Sequence, residues 1–232
     1  MDKKQIQRNI LNASFDAGAC HLGSALSCVD ILIDLYDNVL KDDDIFLFSK
    51  ASGVATLYAI LSEKGYFTYA KLVEYLKAHP LPSKEVPGVL HSFGSLGHGL
   101  SVATGLALAD RKRKVYVLLS DGEMMEGSTY EACLFIGQHN LTNLYVHVDD
   151  NKIAACGRTE DILNLDNAFE FFGKNIPNFI RHETIKGDGG NTACKMFENK
   201  VEWHYRNLDK KTLDEALKLL DKEEMPTLST HI

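Results

Sequence analysis

The chain has 232 residues, 45% of them apolar and 25% charged, a composition and size that support one substantial globular core. Lys and Arg total 25 against 32 Asp and Glu, a net charge of -7, which repels a polyanion and argues against nucleic-acid binding as the main role. Apolar runs such as 115–119 are of strand length, far short of the roughly 18 residues a membrane-spanning helix needs, and this excludes integration in a bilayer.

The opening Met1-Asp2-Lys3-Lys4-Gln5-Ile6 runs straight into helical spacing without the apolar stretch of a secretory leader, so a cytoplasmic location is expected. Ile6, Ile10, Ala13 and Ala17 recur at helical intervals up to Gly18, and Ser27 with Asp30 reads as a capping box for a second helix over 29–40. Residues 45–48 read as a buried strand, 54–61 as a helix stopping near Gly65, and 69–78 as a helix capped by Thr68. A proline-rich loop, 79–87, leads to the glycine-rich Gly94-Ser95-Leu96-Gly97-His98-Gly99. Then come a helix over 100–109, a strand over 114–119, a turn at Asp121-Gly122, a helix over 129–139 and a strand over 143–148. Near-continuous apolar strands alternating with helices predict an α/β fold, a parallel sheet with helices on both faces. The last helix is expected over 209–220, with Thr212 and Glu215 as its capping box. No repeat, low-complexity tract or linker divides the chain, so residues 1–232 read as a single domain. Cys20, Cys28, Cys133, Cys156 and Cys194 are odd in number and never in a Cys-x-x-Cys pair, which predicts reduced thiols and no zinc site.

In a parallel sheet the loops at the carboxyl ends of the strands converge on a ligand crevice. Asp121 and Asn151, thirty positions apart, both fall just past strand ends, on one rim. A carboxylate, an amide oxygen and the Ile153 carbonyl are hard donors of the kind Mg²⁺ or Ca²⁺ takes when a diphosphate completes the shell. Gly122 permits close approach of that diphosphate, and the helix starting near Gly127 adds a favourable dipole. Taken singly, an Asp-Gly turn and a surface Asn are more often structural; their joint placement turns the reading to a metal-diphosphate site.

These residues belong to a series in which the chain resembles the thiamine-diphosphate enzymes, specifically the amino-terminal, diphosphate-binding half of the transketolases. The series runs through Cys20-His21-Leu22-Gly23, Phe48-Ser49-Lys50, Pro87-Gly88-Val89, Gly94-Ser95-Leu96-Gly97, Asp121-Gly122 to Glu126-Gly127, Asp150-Asn151-Lys152-Ile153, Thr184-Ile185-Lys186-Gly187 and Trp203-His204. The resemblance implies that Asp121, Asn151 and the Ile153 carbonyl hold the metal, that Gly122 meets the diphosphate and that the Gly94 and Leu96 backbone meets the aminopyrimidine. It implies that Glu126 communicates between two cofactor sites across a dimer. His21, His79 and His204 would face substrate and handle sugar hydroxyl protons, a task suited to imidazole. His79 lies in a longer loop and reads equally as a surface residue.

The chain departs from the pattern where Lys50-Ala51-Ser52 puts a hydroxyl in place of a substrate-facing imidazole, where His98 replaces a commoner Gln, and where Ala155 replaces a bulkier apolar residue. After Phe171-Phe172-Gly173 the sequence passes through Asn175-Ile176-Pro177 almost directly to the next strand, so a strand-helix unit is expected to be deleted near 173–176, leaving a sheet edge for a partner to cover. The family's glutamate that polarises the pyrimidine lies in a domain not represented in these 232 residues. Three things are therefore expected: a separate C-terminal, pyrimidine-binding subunit, an α2β2 assembly and sugar substrates. Two alternatives stay open: the α subunit of a thiamine-dependent 2-oxoacid dehydrogenase or decarboxylase, and a non-catalytic thiamine-diphosphate-binding scaffold.

Overall fold

The computed structural model describes residues 1–190 and 194–222. The Asp2 carboxylate accepts the Lys4 and Gln5 N–H groups and starts α1 (Lys3–Ala17), which Gly18 ends in the left-handed region at φ 62°. The next helical stretch is broken into α2 (Leu22–Ser27) and α3 (Val29–Asp34), followed by a π-helical turn over Leu35–Val39. This corrects the capping box expected at Ser27 and Asp30. Ser27 closes α2 and its hydroxyl donates to the Asp149 carboxylate at 2.7 Å, while Asp30 pairs with Lys3. A long-range buried partner outcompetes the local cap.

Strand β1 (Ile45–Phe48) leads through the short turn Ala51–Gly53 into α4 (Val54–Glu63) and α5 (Tyr69–Ala78), which Thr68 caps as expected. Helix α6 (His98–Ala109) begins inside the glycine-rich loop, two residues before its predicted start. Then follow β2 (Val115–Ser120), a 3-10 turn (Asp121–Met125), α7 (Gly127–His139), β3 (Leu144–Asp150), α8 (Thr159–Ile162), α9 (Asp166–Asn175) and β4 (Asn178–Glu183). Two 3-10 turns, Lys195–Phe197 and Val201–His204, precede α10 (Lys210–Lys222). Asp209 caps that helix by accepting the Thr212 N–H at 2.8 Å, so Thr212 lies inside it and the expected Thr212–Glu215 box does not form.

All four strands are parallel, in the order β1-β2-β3-β4, with Phe48 opposite Leu118, Leu119 opposite Val148 and Asp149 opposite His182. Side chains alternate between two layers. Phe48, Tyr116 and Leu118 pack with α1 to α5, and Leu47, Val117, Leu119, Val146 and Val148 pack with α6, α7 and α9. Helices cover both faces, as the continuous apolar strands require. Ile176 and Pro177 alone join α9 to β4. Among the described residues no helix is long and apolar enough to cross a membrane, and Cys28, Cys133 and Cys194 are buried.

Candidate functional site

The ends of β1, β2 and β3 open onto a cavity of about 210 Å³. Asp121, Gly122, Asn151 and Ile153 line it, joined from the glycine-rich loop by Gly94 and Leu96 and from opposite ends of the chain by His21 and His204. Eight of the ten residues expected to form the site therefore meet in one place. A larger cavity of about 450 Å³ lies at the other end of β1, beside Tyr36, Phe46 and Arg113, and contains none of them.

Asp121 is 2% exposed. One of its oxygens accepts the Gly122 N–H at 2.8 Å and the other the Lys152 N–H at 2.7 Å, which ties the β2 rim to the β3 rim. Lys152 takes a left-handed φ of 65° to reach it. Asn151 is fixed by its own turn, with Oδ1 accepting the Ile153 N–H at 3.2 Å and Nδ2 donating to the Ser27 hydroxyl at 3.4 Å. Burial pushes the Asp121 carboxyl up to about 6, with Lys50 and Lys186 opposing and Asp149 assisting. Among the described residues no three His, Cys, Asp or Glu converge, so the oxygens this rim offers are a mixed set of one carboxylate, one amide oxygen and one carbonyl. Each retains a free lone pair. A hard divalent cation fits this set, and the buried carboxylate favours it.

Two lysines that the sequence does not mark as site residues are buried, each 1% exposed. Lys50 pairs with Asp149 at 3.1 Å, and Asp149 also accepts from the Ser27 and Thr184 hydroxyls. Lys186 donates to the Ile153 carbonyl at 2.7 Å and lies 3.4 Å from His204 Nδ1. Burial lowers the Lys186 ammonium to about 8, and neighbouring Lys50 adds to the effect. Lysine is almost never fully buried unless paired, so side-chain type carries no signal here; the only clue is that each sits in a motif, Phe48-Ser49-Lys50 and Thr184-Ile185-Lys186-Gly187. These cations leave the cavity suited to an anionic ligand.

His21 and His204 meet edge to face, ring centroids 4.4 Å apart. Burial and the Lys186 charge pull His204 down to about 3, and burial lowers His21 as well, so both rings are neutral near pH 7 and able to accept hydrogen bonds. His79 does not line the cavity. It caps the end of α5 and its Nε2 lies 3.6 Å from Glu85. Glu126, at the start of α7, packs beside Gly97 rather than in the cavity, so close that a Cβ on Gly97 would lie 2.7 Å from the Glu126 Cβ. Ser52 and Ala155 line the cavity; His98 does not.

Similarity to known proteins extends over most of the chain. The family described as "Transketolase, thiamine diphosphate binding domain" matches residues 6–187. The chain is 37% identical to one of the subunits of apulose-4-phosphate transketolase from Actinobacillus succinogenes over 88% of each chain. It is 29% identical to a 6-deoxy-6-sulfo-D-fructose transketolase subunit of a Clostridium species over 89% of this chain and 90% of that one. The crystal structure of Campylobacter jejuni transketolase superposes with a TM-score of 0.71 at 22% identity, covering 94% of this chain and 43% of the other. The chain thus spans less than half of that solved transketolase while matching the subunit-sized relatives almost end to end, and it belongs to the transketolase family, in its thiamine-diphosphate-binding domain.

Proposed function

We propose that this chain is the diphosphate-binding subunit of a split transketolase, which transfers a two-carbon ketol unit from a ketose to an aldehyde or keto sugar acceptor. The observation that carries the reading is the convergence of Asp121, Asn151 and Ile153 with His21 and His204 on one cavity flanked by two buried lysines. Asp121, Asn151 and the Ile153 carbonyl would hold Mg²⁺ or Ca²⁺, Gly122 the diphosphate, and the Gly94 and Leu96 backbone the aminopyrimidine. Thiamine diphosphate, when bound, supplies the thiazolium carbon that carries the two-carbon fragment between sugars. The neutral imidazoles of His21 and His204 accept hydrogen bonds and protons from substrate hydroxyls. His79 approaches substrate only if its loop moves off Glu85, and Glu126 acts at the edge of the site, against a second subunit.

The pyrimidine-binding half comes from a separate partner in an α2β2 assembly, a reading supported by the length match to relatives named as subunits. The names of those two relatives also favour an anionic ketose as donor, and Ser52 in the cavity leaves more room there than an imidazole would. A cytoplasmic location suits such chemistry. The direct connection of α9 to β4 accords with a missing strand-helix unit, whose edge the partner would cover.

The test is a ketol-transfer assay on the chain co-purified with its pyrimidine-binding partner and on the chain alone. Turnover is expected only in the pair. Turnover by the chain alone contradicts the division of labour, and none in the pair across ketose phosphates contradicts the reaction.

A further inference from the structure

We propose that Glu123 is a positioning residue that locks the glycine-rich loop to the metal-diphosphate turn and so sets the spacing between the two ends of the cofactor site, an inference that rests on the proposed function. Its side chain is 0% exposed and absent from the cavity wall, yet it accepts hydrogen bonds from three separate segments. One carboxylate oxygen takes the Ser49 hydroxyl and the Gly97 N–H, the latter at 3.4 Å; the other takes the Ser120 N–H at 2.8 Å and its hydroxyl at 3.2 Å.

Each donor is the chain neighbour of a residue that does line the cavity: Ser49 precedes Lys50, Gly97 follows Leu96, and Ser120, itself in the wall, precedes Asp121. One carboxylate therefore fixes the ends of β1 and β2 and the start of α6 relative to one another. The packing around it permits little slack. A Cβ on Gly99 would lie 2.1 Å from the Ser49 hydroxyl oxygen, and a Cβ on Gly97, at φ 80°, would lie 2.5 Å from Ser128 Oγ. Ser128 returns a hydrogen bond to the Gly97 carbonyl at 3.0 Å, and the Thr129 hydroxyl holds the Glu123 carbonyl at 2.7 Å, which extends the lock to α7. A buried carboxylate is tolerated because all four donors converge on it.

A ligand that touches only the Asp121–Gly122 turn should depend on this lock less than one that spans the turn and the Gly94–Leu96 backbone, because only the second needs the two loops held at a fixed spacing. Inorganic pyrophosphate with Mg²⁺ is the first kind of probe and thiamine diphosphate with Mg²⁺ the second. In the full chain with its partner, Glu123→Gln should weaken thiamine diphosphate binding about 10-fold and Glu123→Ala more, the loss expected from hydrogen bonds to a charged group. Pyrophosphate affinity should fall by clearly less, about 3-fold at most, because that probe feels only the loosened turn. Amide hydrogen exchange without ligand should accelerate in residues 94–99 and 120–125 of Glu123→Gln and stay unchanged in β3 and α9. Equal losses for both ligands, or exchange that is unchanged or accelerates uniformly, would overturn the lock. If the unsubstituted protein bound neither ligand, the cofactor reading would fail instead, and the exchange pattern would still decide whether Glu123 couples the two loops.

Discussion

His21 and His204, at opposite ends of the chain, meet edge to face at 4.4 Å on the wall of the cavity, and Lys186 adjoins His204 at 3.4 Å while holding the Ile153 carbonyl. Two neutral rings are thereby placed beside the cation-rich end of the site. His21 takes a left-handed φ of 67° to get there, an uncommon conformation for a residue with a side chain and one that clusters at functional positions.

His21→Ala and His204→Ala should each reduce ketol transfer by about 10²-fold or more, the range of a proton-handling side chain, with cofactor affinity little changed. His79→Ala is the control, because its ring faces Glu85 outside the cavity. Turnover and cofactor affinity measured for the three variants check this. Equal effects in all three would remove the first two histidines from the reaction.

Two glycines of α6 should respond to alanine with opposite signs. At Gly99 the new Cβ would overlap Ser49, 2.1 Å from its oxygen, and the overpacking should cost about 1–3 kcal/mol. At Gly105 nothing lies within 4 Å, so alanine should stabilise by roughly 0.5–1 kcal/mol through helix propensity. Denaturant unfolding of both variants gives the signs directly.

Acid should destabilise the protein through a histidine pair on the α1–α5 side of the sheet. His147 Nδ1 lies 2.9 Å from His182 Nε2, with Tyr116 tilted against its ring, and its buried Nε2 has no partner. Burial pulls His147 from 6.5 down to about 4, His182 adds to this, and Asp34 opposes it; burial lowers His182 too, against Asp149 and Asp34. Between those values the unfolded chain binds a proton that the folded chain refuses, so stability is full above about pH 6.5 and falls toward pH 4, by on the order of 3 kcal/mol from His147. His147→Phe should lose less stability than the unsubstituted protein between pH 7 and pH 5 in thermal melts. Equal losses would contradict the assignment.

The architecture was legible because its signals are local. Val115 to Leu119 could only be a strand covered on both faces, and Asp121 and Asn151 follow strand ends whose loops must share a rim. Other features rest on contacts between distant segments. Ser27 reads as a cap until Asp149, 122 positions away, claims its hydroxyl. Lys50 and Lys186 stand in motifs, but nothing near them in sequence announces the acids and carbonyl that let them be buried. Helix α2 carries no sequence signal because all six of its residues are buried, which leaves no amphipathic period. Glu123 stands two positions from Asp121 in the motif, but its role depends on Ser49 and Gly97, which the sequence does not connect to it.

The central claim, that the β2 and β3 rims hold a metal-diphosphate, is tested most directly by calorimetric titration of thiamine diphosphate with Mg²⁺ into the chain paired with its pyrimidine-binding partner. Asp121→Ala and Asn151→Ala should each weaken binding of the cofactor by at least about 10-fold to 100-fold, and the Mg²⁺ requirement should be lost with it, since metal and diphosphate share one shell. Unchanged thiamine diphosphate affinity in both variants would contradict the account.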